Sequence, residues 1–149
     1  MNVSNADARD YVLFQIGALE AFCKCCGVSL AHVKFHGAQQ RMTADDQDLA
    51  AALAECVTAY YKDLTLIAFA GSQLEKMCLQ KGIRVADEVL IDRGYDRNGN
   101  ILPMTKPGGR VKEPARNLAQ VNEIISHGRI KSVDDHVVKF DRIQTLGFH

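Results

Sequence analysis

The sequence predicts an α/β fold built on a parallel sheet, and three observations carry that prediction. Short apolar runs alternate with longer amphipathic segments along the chain. One run, LTLIAFA from Leu64 to Ala70, is almost wholly apolar, as in a strand covered on both faces. Each amphipathic segment is bounded by helix start and stop signals.

In chain order, the first helix runs from Asn5 to Cys26. Tyr11, Val12, Phe14, Ile16, Ala18, Leu19 and Phe22 recur at helical spacing, Ser4 or Asn5 can cap the start, and Gly27 can stop it. LAHVKF then reads as a short strand ending at His36-Gly37. Thr43 with Asp46 resembles the N-terminal capping pattern of a second helix, whose apolar stripe is Leu49, Leu53, Cys56, Val57 and Tyr60. After the Leu64–Ala70 strand, Ser72 and Glu75 form a capping box for a third helix that Gly82 ends. IRVADEVL is the next strand. The polar stretch after it, with Asn98-Gly99 and Pro107-Gly108-Gly109, is a long loop of the kind that carries function or disorder. Pro114 opens a fourth helix that Gly128 ends, with Leu118, Val121, Ile124 and Ile125 toward the core. RIKSVDDHVVKF reads as a hairpin turning at Asp134-Asp135, and IQTLGFH as a last strand.

Composition narrows the function classes. The 149 residues suit one domain with a real core. Eighteen basic and eighteen acidic side chains cancel, so no basic face marks a nucleic-acid binder. Cys23, Cys25, Cys26, Cys56 and Cys78 lack the second ligand pair of a zinc site and are expected to be buried or half-buried thiols, in a reducing, cytoplasmic setting. The N-terminus lacks a signal peptide's basic and apolar regions, and no run reaches membrane-spanning length.

In parallel α/β folds, ligands gather at the carboxyl ends of the strands. Those ends deliver Lys34 and His36, then Gly71 and Ser72, then Glu88, Asp92 and Arg93, and finally His149. The Gly71-Ser72 turn opens a helix, where backbone N–H groups suit an anion. Each residue also has a plain structural role open to it: Ser72 as a cap, Glu88, Asp92 and Arg93 as a solvated loop. His32, His127 and His136 read as structural or surface residues.

The blocks YVLFQIGALEAFCKCCGVSLAHVKFHGA, AFAGSQLEKMCLQKGIRVADEVLIDRGYDRNGNILP, KPGG, VDDHVVKF and LGFH resemble, in order, the LamB/YcsF lactam-utilisation family. The resemblance implies a TIM-like barrel of the glycoside hydrolase/deacetylase type. It further implies ATP-dependent opening of 5-oxo-L-proline to L-glutamate, carried out with 5-oxoprolinase subunits B and C. On the family's motifs, Lys34, His36 and Gly37 fall in the lysine-proline-histidine-glycine block, and Gly71 and Ser72 in the alanine-glycine-serine block. Glu88, Asp92, Arg93 and Tyr95 match the acidic-arginine-tyrosine block, and His149 the terminal histidine. The roles implied are proton transfer for His36, Glu88, Asp92 and His149, and substrate contact for Lys34, Gly37, Gly71, Ser72, Arg93 and Tyr95, with no metal ligand assigned.

The match corresponds to the C-terminal part of the family domain, without the family's N-terminal strands or the glycine-aspartate after His149, so the expected fold is a partial barrel. Such a barrel exposes strand edges and apolar surface, and self-association or a covering partner is expected. Phe35 stands where the family has proline, Gln39-Gln40-Arg41 where it has leucine-tyrosine-asparagine, and Met104 where it has arginine. Two readings stay open: a component of an enzyme, and a non-catalytic relative that binds a partner. A metal-dependent deacetylase is a third, by fold analogy alone.

Overall fold

The computed structural model describes residues 3–148. By contacts the chain divides between Ala86 and Asp87 into two compact units, although no linker marks the place in the sequence.

Unit 1 opens with α1 (Asn5–Cys25), capped by Ser4 and Asp7 in a reciprocal capping box. Gly27, in the left-handed region at φ 68°, turns the chain out of it. The strand β1 (His32–Lys34) follows, then two helices where the sequence predicts one: α2 (Gly37–Asp45) and α3 (Gln47–Tyr60). Thr43 therefore caps nothing. It lies inside α2, where its hydroxyl donates back to the carbonyls of Gln39 and Gln40. The cap of α3 is Asp46, whose carboxylate accepts from the Leu49 amide at 3.0 Å.

The strand β2 (Thr65–Phe69) runs parallel to β1, with Val33 opposite Leu66 and Lys34 opposite Ile67. Helix α4 (Gln73–Lys81) follows, and Gly82 ends it as the sequence predicts. Helix α3 packs against both α1 and α4, which explains its wide buried face. Leu49, Ala50, Leu53, Ala54, Cys56 and Val57 are all buried there. The expected stripe member Tyr60 is instead 69% exposed. Leu66 and Ala68 turn into the same core, as do Val12 and Ile16 of α1 and Phe35 after β1.

Strand β3 (Val85–Leu90) crosses from unit 1 into unit 2. Unit 2 continues through an ordered loop, pinned by bridges between Arg93 and Arg110 and between Tyr95 and Ile101. Helix α5 (Pro114–His127) starts on proline and ends at Gly128, φ 62°. Of its four expected core residues, Ile124 is buried, while Leu118 and Ile125 stand 63% and 73% exposed. The antiparallel hairpin of β4 (Arg129–Lys131) and β5 (Val137–Lys139) turns through Asp135, as predicted. Strand β6 (Thr145–Gly147) pairs with β3 in parallel, Glu88 opposite Thr145 and Leu90 opposite Gly147.

The main sheet has the strand order β1-β2-β3-β6, which bears out the α/β class. It has four strands where a closed barrel of this type has about eight. Among the described residues no helix is long and apolar enough to cross a membrane. Cys56 and Cys78 are buried and Cys23 half-buried. Cys25 and Cys26 are exposed, contrary to expectation, because the end of α1 turns them outward.

Candidate functional site

In unit 1 the candidate residues sit where β1 and β2 run into helices. The period of β1 puts Lys34 and His32 on one side, with Thr65 and Ile67 beside them in register. Phe35, on the opposite side, is 4% exposed and anchors the strand end in the core. His36 is exposed and occupies the N-cap of α2, where no side chain caps the helix. Gly37 follows at φ 58°, a conformation that favours glycine. Lys34 and His36 line a cleft of ≈ 480 Å³, with Tyr11, Gln15 and Leu19 of α1 across from them.

The second strand end is built differently. Ser72 caps α4 by accepting from the Glu75 amide at 3.2 Å. The Glu75 carboxylate reaches back to the Gly71 amide at 2.5 Å. A side-chain carboxyl group thus already sits at this helix start, and Gly71 and Ser72 are engaged in capping.

In unit 2, Glu88 and Asp92 are 4% and 3% exposed. Gly147 leaves room for the Glu88 carboxylate, since a Cβ there would come within 2.8 Å of its Oε1. Arg93 donates from Nε to the Gly109 carbonyl at 2.9 Å and from Nη2 to that of Leu102 at 2.6 Å, tying the long loop together. The Tyr95 hydroxyl accepts from the Leu90 amide at 2.7 Å and donates to the Leu90 carbonyl at 3.1 Å. Burial pushes this phenol's pKa well above its ordinary value, so the hydroxyl stays protonated. His149 lies outside the described residues.

The structure therefore brings Lys34 and His36 together at one cleft, with Gly37 at the adjoining helix start, and gives Arg93 and Tyr95 work in holding the loop. Tyr95→Phe should cost about 1–3 kcal/mol, because the buried Leu90 amide loses its partner. Thermal unfolding checks this. A variant that melts with the parent while losing ligand affinity would restore Tyr95 to substrate contact.

Two residues were not singled out as site candidates in the sequence. Asp87, fully buried, pairs with Arg142 Nε at 3.0 Å. Adjacent acids in an apolar strand signal that one faces each way, and Asp87-Glu88 is such a pair. Gln40, 8% exposed, carries an Nε2 with no hydrogen-bond partner among the described residues. Among those residues no three His, Cys, Asp or Glu side chains form a metal-holding group.

Comparison with known proteins places this geometry. A model described as the LamB/YcsF family matches residues 1–149. The A subunit of 5-oxoprolinase from Pyrococcus abyssi is 33% identical over the whole chain, which covers 58% of that protein. That of Symbiobacterium thermophilum is 44% identical over 80% of the chain, covering 46% of that protein. The crystal structure of the lactam utilization protein from Thermus thermophilus superposes with a TM-score of 0.89 at 33% identity. That match covers 98% of this chain and 59% of the Thermus protein. The chain spans about half the length of the curated relatives it matches.

Proposed function

The chain belongs to the LamB/YcsF family, and from that membership we propose that it is a protein of the 5-oxoprolinase A type. In this reading it takes part in the ATP-dependent hydrolysis of 5-oxo-L-proline to L-glutamate, in the cytoplasm, with subunits B and C. The family match along the whole chain carries the reading. The cleft at the end of β1 supports it with chemistry.

A lactam is stable because its nitrogen lone pair is delocalised into the carbonyl, so opening the ring requires activation of the carbonyl oxygen and a proton for the leaving nitrogen. ATP supplies a phosphoryl group for the first need. The residues at the α2 start suit an anionic substrate of this kind: a lysine, a histidine and a helix start without a side-chain cap. Lys34 holds the substrate carboxylate or a phosphorylated oxygen. Two of Arg93's donors are committed to Leu102 and Gly109, and Lys34 lines the cleft beside His36. His36 is exposed at the cleft and moves the proton. For Glu88 and Asp92, both buried in unit 2, the family resemblance implies proton-transfer roles.

The test is glutamate formation from 5-oxoproline and ATP, with the chain mixed with B and C subunits of a related system. His36→Ala should lower turnover about 100-fold or more. Turnover that survives His36→Ala would remove His36 from the chemistry.

Met104 favours a second reading, a non-catalytic relative that binds a partner. It stands 62% exposed where the family motif has an arginine, and a thioether cannot replace a bidentate cation. No glutamate from a folded chain would select that reading.

A further inference from the structure

The end of α1 carries three cysteines within four residues, Cys23, Cys25 and Cys26, and the chemistry proposed above uses none of them. A tight turn closes the helix there. The Cys23 carbonyl accepts from the Cys26 amide at 3.1 Å and from the Val28 amide at 3.0 Å. The Lys24 carbonyl accepts from the Gly27 amide at 3.2 Å. With Gly27 in the left-handed region this is the Schellman arrangement, and Cys26 is its C-cap. Cys23 therefore stands one turn before Cys26, in a C-x-x-C spacing.

Helix geometry decides which two thiols can join. Three positions apart, Cys23 and Cys26 lie about 60° from each other around the axis and about 5 Å between Cα atoms. Disulfides span about 4.4–6.8 Å between Cα atoms, so this pair falls inside the range. Cys23 and Cys25 point about 160° apart. Cys25 and Cys26 are chain neighbours with Cα atoms about 3.8 Å apart, too close for the range. Cβ atoms three positions apart on a helix start about 5–6 Å from each other, and a disulfide brings them to about 3.8 Å. That movement falls on the C-cap, where the helix ladder has already ended. Access favours the same pair. Cys26 is exposed, and the half-buried Cys23 lines a cavity of ≈ 270 Å³ with Glu20, Lys24 and Tyr61. Cys56 and Cys78 are buried, on α3 and α4.

We propose that Cys23 and Cys26 form a modification site that closes reversibly to a disulfide by exchange with a low-molecular-weight disulfide. The Cys26 thiolate attacks one sulfur of that oxidant, whose S–S bond breaks and releases one small thiolate. The Cys23 thiolate then attacks the Cys26 sulfur of the mixed disulfide and displaces the second small thiolate. Two protein thiols thus lose two electrons to the small disulfide, and their two protons pass to the two small thiolates. An exposed bond that closes only when the turn gives is also readily reduced. In a reducing compartment such a pair stays open and closes when the small-thiol pool is oxidised.

The test incubates the intact chain with oxidised glutathione, then denatures it and maps tryptic peptides by mass without reductant. Trypsin cleaves after Lys24, so a Cys23–Cys26 bond joins two peptides, whereas a Cys25–Cys26 bond stays within one. The expected product is a chain lighter by two hydrogens, with those two peptides linked. Alkylation of Cys26 should fall at least tenfold on oxidation and return with dithiothreitol. Cys25→Ser should keep the link and Cys26→Ser should abolish it; both side chains are exposed, so both variants keep the fold. A glutathione adduct that persists on Cys26 without an internal bond overturns the proposal. So does a bond within one peptide, a link lost in Cys25→Ser or kept in Cys26→Ser, a link between chains, or no oxidation.

Discussion

Gly94→Ala should destabilise unit 2 by about 3 kcal/mol or more, near the upper end for overpacking. A Cβ at this position would run into the carbonyl of Gly108 and come within 3.0 Å of a Val133 methyl. The first obstacle is backbone, and it cannot swing aside as a side chain can. The loop around it is also fastened on both sides. The Gly94 amide donates to the Gly109 carbonyl at 3.3 Å, and its carbonyl accepts from the Leu102 amide at 2.9 Å. Moving Gly94 away from Gly108 therefore breaks hydrogen bonds that hold the ends of the loop, next to the carbonyls that Arg93 grips. Urea denaturation gives the cost. Gly27→Ala is the control: its Cβ meets open space, so only the left-handed backbone at φ 68° is penalised, at about 1–2 kcal/mol. Equal losses for the two variants would mean that the close approach at Gly94 is not tight.

This loop also shows where sequence reasoning stops. Its glycines announce turns, but the partners of Arg93 and Tyr95 are carbonyls and an amide of Leu90, Leu102 and Gly109, and backbone groups leave no signature in a sequence. An arginine and a tyrosine after a strand thus suggest a substrate contact as readily as a fastening. Helix boundaries were far more legible because their causes are local. Ser4, Ser72 with Glu75, Pro114, Gly82 and Gly128 each act within a turn of where they stand. The exception is instructive. Thr43 and Asp46 have capping-box spacing, but Asp46 is itself a good cap with its own target at Leu49, and the threonine can bond backward inside a helix.

Amphipathic spacing was legible too, but only as a stripe. It says which side chains of α1 and α5 share a face and is silent on whether anything covers them. That is why Phe14 and Phe22, which share the helical spacing of α1, and Leu118 and Ile125, which read as core, all stand exposed. At the candidate site, position at a strand end was enough to single out Lys34 and His36. The same rule singled out Gly71 and Ser72. What separates the two pairs is the reach of one glutamate side chain, and that depends on folded geometry.

The second large effect belongs to unit 1. Leu53→Ala should cost about 2–5 kcal/mol, because Leu53 is fully buried at the middle of α3, the helix held between α1 and α4. Its neighbours along the face, Ala50 and Ala54, are small and fully buried, so the helices approach closely there and Leu53 supplies much of the fill. The chance of collapse into the vacated space is low, since removing a side chain between two packed helices leaves the cavity walls fixed from both sides. Leu53→Met keeps the volume and should lose less than about 1.5 kcal/mol. Phe14→Ala, on the exposed stripe of α1, should stay within about 0.5 kcal/mol of the parent. Denaturant titration of the three variants checks the order, and a Phe14→Ala loss as large as that of Leu53→Ala would overturn the packing described for α1. The effect should reach the cleft as well. Phe35 anchors the end of β1 in the same core, so loosening that core frees the strand that carries Lys34 and His36. Amide exchange at Val33 and Phe35 should then quicken in Leu53→Ala and stay at the parent rate in Leu53→Met, separating loss of positioning from loss of chemistry.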